Sequence, residues 1–184
     1  MKRQLIYSVS LMILGGLVLG SAAGALAAPE LVGAAKCAPC HKAKTGDQWQ
    51  IWSDSRHAQA FATLGSDQAK AIALEQGLGD PQQAAVCLKC HTTQAFLGSE
   101  VVVNAKGKYA DTEGVGCESC HGPGSDYKSK QVMTDPEAAV AAGLIMDKSV
   151  AACTRCHNDQ SPTFQGFDFE ESWAQIAHPV PVEE

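Results

Sequence analysis

A mainly α fold with extensive loops and little sheet is what this sequence predicts, on three observations. The pattern Cys-x-x-Cys-His occurs four times, as Cys37, Cys40, His41; Cys87, Cys90, His91; Cys117, Cys120, His121; and Cys153, Cys156, His157, and these copies use all eight cysteines. Between the copies the apolar residues show little sustained periodicity, so few segments have a face wide enough to build a conventional core. The chain is also short, 184 residues with a leader-like start, and a small chain buries only a modest core of its own.

Two thiols separated by two residues stand about one helical turn apart. Each copy therefore predicts a helical turn that presents both sulfurs to one edge of a porphyrin, with the following imidazole aimed at the iron. Four haem c groups attached in this way would supply much of the core, and the chain would wrap around them as a small cytochrome. Residues 36–42 carry the first copy. The next segment, 48–64, reads as a helix with His57, Phe61 and Leu64 on one face. Ser66 is the N-cap of a further helix that stops at Gly77. Asp80-Pro81 turns the chain into the second copy. Beyond it, 100–103, the turn-like 104–107 and the residues from Lys108 predict a small hairpin. Asp135-Pro136 opens an Ala-rich helix ending near Gly143. Residues 169–176 read as helical, and the prolines after His178 force the chain to leave in extended form.

The same spacing admits other uses of such cysteines. A Cys-x-x-Cys pair can be half a zinc site or a thiol redox pair, but neither needs a histidine after every copy. Disulfides would use eight cysteines evenly, yet pairs one helical turn apart constrain little chain.

The compartment agrees with covalent haem. Lys2 and Arg3 precede an apolar run from Leu5 to about Gly20, and Ala25-Leu26-Ala27 supplies a small-residue cleavage site, so residues 1–27 read as a cleaved signal peptide. Residues 28–184 then form a single tetrahaem domain of 157 residues, located in the periplasm or outside the cell with no stable membrane anchor. Removing Lys2 and Arg3 from the 14 basic residues leaves 12 against 20 acidic ones, a formal charge of −8. That balance argues against nucleic acid and anionic lipid. It favours redox protein partners, a donor and an acceptor, that dock through a basic patch of their own. The oligomeric state is not legible.

Ligand accounting makes the haems unequal. Six histidines less the four proximal ones leave His57 and His178 as candidate distal ligands, because neutral imidazole is a preferred haem ligand. Four haems therefore cannot all be bis-histidine. Met133 and Met146 are the remaining soft candidates in the mature chain, against their ordinary role in apolar packing.

Flanking phrases carry a resemblance to a known family. They are Trp52-Ser53-Asp54-Ser55-Arg56-His57-Ala58-Gln59-Ala60-Phe61, Gly116-Cys117-Glu118-Ser119-Cys120-His121-Gly122-Pro123-Gly124-Ser125, Cys156-His157-Asn158 with Ser161-Pro162-Thr163-Phe164, and Ile176-Ala177-His178-Pro179-Val180-Pro181. With the motif spacings, they make the chain resemble the tetrahaem cytochrome c-554 family over nearly all its mature length. The resemblance implies a soluble periplasmic electron shuttle with haems in close pairs, mostly bis-histidine, and one high-spin iron. It places that open iron on His91, with Pro162, Thr163 and Phe164 as candidate walls of its distal pocket. The chain departs from the family in having two spare histidines rather than three, and Tyr127 stands where many related sequences have histidine.

Two function classes follow, with a third beside them. The leading one is an electron carrier with no catalytic residues. The alternative is a small haem enzyme acting on a nitrogen oxide, hydroxylamine or sulfur oxyanion at a five-coordinate iron, with Tyr127, Arg56 or Lys89 as proton donors. The third is a subunit of an extracellular cytochrome filament.

Overall fold

The computed structural model describes residues 28–98 and 100–179. The signal-peptide reading of residues 1–27, and Val180 and Pro181 beyond His178, lie outside the described residues. Among the described residues the architecture is helical, with short helices, long connections and no strands. In chain order the helices are α1 Gln48–Ser53, α2 Ala60–Thr63, α3 Asp67–Glu75, α4 Ala85–His91, α5 Thr93–Leu97, α6 Cys117–His121, α7 Lys130–Met133, α8 Pro136–Ala141, α9 Val150–Thr154 and α10 Phe169–Ile176. Single 3-10 turns occupy Ala34–Lys36, Ala43–Thr45 and Asp111–Glu113.

Local chemistry sets several helix starts. Ser66, Asp135, Ser149 and Asp168 each accept a hydrogen bond from the backbone N–H three residues on, which satisfies a donor that the helix start leaves orphaned. Pro136 at the first position of α8 needs no such partner.

The segment read as one helix over 48–64 is broken in two. Ser53, Asp54 and Ser55 offer the backbone competing partners: the Ser53 hydroxyl donates to Gln50 O, and Ser55 Oγ accepts from Ala58 N. The break is pinned from outside as well. Trp52 Nε1 donates to Val115 O at 2.9 Å, and Val115 N donates to His57 O at 2.9 Å. His57 therefore sits in the turn between α1 and α2 and does not share a helical face with Phe61 and Leu64.

The hairpin expected after residue 100 is also replaced. Leu31 N donates to Val102 O, Asn104 N to Leu31 O and Lys108 N to Val32 O, and Leu31 and Val103 form an isolated parallel bridge. The extended residues pair with the segment before the first motif, because that segment carries the most deeply buried apolar side chains.

The buried apolar set is small: Leu31, Val32, Ala34, Leu64, Ala73, Tyr127 and Ala139. Most of it is grouped around residues 31–34. Gly33 is required there, with φ at 85° and a Cβ position only 2.4 Å from Tyr109 N. A side chain at that point would force the two backbones apart.

Candidate haem-binding site

The four motifs lie on helical turns, as their spacing predicts. The second occupies the end of α4 and the third fills α6. The fourth begins in α9 and finishes in the following turn, where His157 N donates to Cys153 O at 3.0 Å. In the first, His41 N donates to Cys37 O at 3.1 Å. All eight cysteines are free thiols.

The fold brings these turns together in a definite order. The thiol of Cys117 stands close enough to Cys37 to perturb its acidity, which makes the first and third motifs neighbours. Cys90 likewise stands beside Cys156, joining the second and fourth. Cys120 senses the charge of Cys153, so the third and fourth motifs are also neighbours. The attachment sites thus form one string: first, third, fourth, second. Burial raises the Cys120 thiol, and burial together with Cys90 pushes Cys156 up to about 12.

Two carboxylates dock the first motif on the third, and neither was singled out from sequence. Glu118, an interior residue of the third motif, is 1% exposed. Its oxygens accept from Val32 N at 2.9 Å, Gly33 N at 2.8 Å and Gly124 N at 2.6 Å. Glu113 Oε2 accepts from Ala34 N at 3.1 Å. Three consecutive N–H groups ahead of the first motif are therefore held by carboxylates inside or just before the third. The signal available in sequence was an acidic residue inside a motif that would be buried, where a carboxylate needs several donors. Glu113 Oε1 is buried without a partner. Burial, outweighing the Ala34 bond, raises the Glu113 carboxyl to about 7, with Glu118 and Asp111 adding repulsion.

The second and third motifs are joined through Thr93. Its buried hydroxyl oxygen accepts from Gly116 N at 2.8 Å and from the Ser119 hydroxyl at 3.1 Å. Arg155, between the cysteines of the fourth motif, lies 3.9 Å over the Phe96 ring and donates to Phe96 O at 3.0 Å. Lys89, inside the second motif, donates to Gln160 Oε1 at 2.7 Å. That bond draws the segment after the fourth motif toward α4.

The histidine rings are arranged as metal ligands require. His91 Nδ1 faces Ala60 O and His121 Nδ1 faces Ile145 O, each at 2.7 Å. A carbonyl only accepts, so both Nδ1 atoms carry the proton and Nε2 keeps a free lone pair. His57 lies 6.1 Å, centroid to centroid, from His157, and His178 lies 5.8 Å from His121. Two imidazoles on opposite sides of one metal stand about 6 Å apart, given metal–nitrogen bonds of about 2 Å. Each spare histidine is therefore at ligation spacing from one proximal histidine. The Nδ1 atom of His178 is buried with no protein partner. Burial lowers the pKa of His41, His57, His157 and His178, which keeps them in the neutral form that binds metal. Phe167 stacks on His157 at 4.7 Å.

The remaining candidates are placed less suggestively. Met146 is 54% exposed and follows Ile145, whose carbonyl holds the rear of the His121 ring. Met133 ends α7, half-buried. Tyr127 is buried, but its hydroxyl donates to Gly122 O at 2.5 Å. Arg56 is exposed, and Phe164 lies at the surface, 39% exposed.

Among the described residues no three His, Cys, Asp or Glu side chains converge as an ion cage. No helix among the described residues is long and apolar enough to cross a membrane.

The comparisons with known proteins agree. The family described as cytochrome c554 and c-prime matches residues 36–122. Cytochrome c-554 of Nitrosomonas europaea is 32% identical over 142 residues, 76% of this chain and 54% of that protein. The C-type polyheme cytochrome OmcC of Geobacter sulfurreducens is 28% identical over 110 residues, 56% of this chain and 13% of that protein. The chain thus spans about half the length of the first relative and a small part of the second. No solved structure matches significantly. The attachment motifs, the neutral histidines aimed at shared positions and these relatives together make the chain a multihaem c-type cytochrome that resembles the cytochrome c-554 family.

Proposed function

We propose that this chain is an exported tetrahaem electron carrier, working in the periplasm or outside the cell between a redox protein donor and acceptor. One observation carries the reading: the four attachment turns lie near one another in a single string through Cys37 with Cys117, Cys120 with Cys153, and Cys156 with Cys90. Haem bound at these positions supplies one-electron chemistry. The protein's part is to hold four such groups in sequence. Glu118 and Thr93 fix the motifs against one another, while the carbonyls of Ala60 and Ile145 orient the His91 and His121 rings.

Partner recognition falls to charge. Residues 135–171 carry Asp135, Glu137, Asp147, Asp159, Asp168, Glu170 and Glu171 against only Lys148 and Arg155, and Lys148 is paired with Glu170. This segment contains the fourth motif, so a partner with a basic patch would be steered toward that motif, between the third and the second in the string.

The enzyme alternative has less support, because Tyr127 is hydrogen-bonded to Gly122 O and Arg56 points outward. The intact mass of the purified holoprotein tests the count directly: the mature chain plus four haems is expected. Redox titration should then show four one-electron steps. Fewer than four attached haems, or a step that does not reverse, would sink the reading.

A further inference from the structure

We infer that the iron carried on His41 is a position open to a small external ligand, for which carbon monoxide is the probe. The inference rests on the tetrahaem reading and goes beyond it by assigning the spare histidines. The chain has six histidines. His57 is at ligation spacing from His157 and His178 from His121, 6.1 and 5.8 Å between centroids. Both spare imidazoles are thereby engaged opposite the fourth and third motifs, and none remains for His41 or His91. His178 also lies within charge range of His41, but its ring contact is with His121.

Other side chains do not fill the gap. Tyr127 is buried and senses the charges of Glu118 and Cys37, yet its proton is given to Gly122 O. Met146 sits behind His121 on the exposed side.

The two open positions should also differ from one another. His91 is backed by a main-chain carbonyl, Ala60 O, at 2.7 Å. His41 has the Gln48 side chain as a neighbour, and Gln48 Nε2 donates to Pro179 O at 3.0 Å. A substitution at Gln48 thus alters the surroundings of His41 and not those of His91.

The test uses oxidised and reduced holoprotein whose haem content has first been fixed by mass. Four haems, two high-spin ferric centres per chain by electron paramagnetic resonance, and two carbon monoxide molecules bound per reduced chain are expected. The infrared C–O stretch should show two bands, of which Gln48→Leu and Gln48→Glu move the same one and leave the other in place. Met133→Leu and Met146→Leu should leave the high-spin count at two. Four haems with a single high-spin centre, or two bands that both ignore the Gln48 variants, would overturn the assignment. Fewer than four haems would instead remove the tetrahaem reading beneath it.

Discussion

Glu118 shows how much of the assembly depends on one side chain. A buried carboxylate accepting from three backbone N–H groups is stabilised by donors that would otherwise be orphaned. Glu118→Gln places an NH2 group against at least one of those N–H donors. A loss of about 2–4 kcal/mol is expected from the unsatisfied groups, read as a lower urea midpoint. Glu113, five residues earlier, behaves oppositely because it has one donor and one orphaned oxygen. Its folded pKa of about 7 lies above the ordinary 4.5. A carboxyl raised in this way favours the fold fully below the unfolded value, and that contribution is lost as pH rises through about 7. Between pH 4.5 and 7 the wild type should therefore lose stability relative to Glu113→Gln, and a constant difference across that window would refute the assignment. The depressed histidines act in the other direction, costing stability as pH falls below their ordinary value, and they cancel in the comparison of the two proteins.

At the scale of elements, the turn between α1 and α2 matters most, since it carries His57. Trp52 and His57 both bond to Val115, and Gly114 lies so close that a Cβ would stand 2.5 Å from His57 O. Removing the Trp52 bond with Trp52→Phe should cost about 1 kcal/mol while leaving the spin state unchanged. His57→Ala and His178→Ala should each turn one low-spin haem high-spin in electron paramagnetic resonance. Silence at either position would detach that histidine from the site. The sequence contains the residues that break the helix here, Ser53, Asp54 and Ser55, but their effect is legible only beside Val115. In the same way, the extended residues 100–108 were recognisable as extended, while their partner was not. A strand's hydrogen-bonding edge does not say which segment will meet it, and here residues 31–32 do.

At the scale of the whole molecule, the acidic segment around the fourth motif marks the proposed docking face beside the string of attachment sites. Electron exchange with a basic redox protein should slow as ionic strength rises, because exposed charges are screened beyond about 10 Å at 0.1 M salt. Substituting Glu170 and Glu171 with Gln should flatten that dependence by roughly the share of two charges among the exposed acids. An unchanged salt slope would move the docking face elsewhere.

The sequence by itself determined the cofactor chemistry, since Cys-x-x-Cys-His is a local pattern whose spacing alone sets the sulfurs and the imidazole. It also determined the shortage of distal ligands, which is a count, and the starts of α3 and α8, which depend on caps within one turn. Only the tertiary structure decided which motifs touch, that Glu118 and Glu113 join the first to the third, and that His57 and His178 face His157 and His121. Those contacts link residues tens of positions apart, and no periodicity along a chain encodes a distance across space.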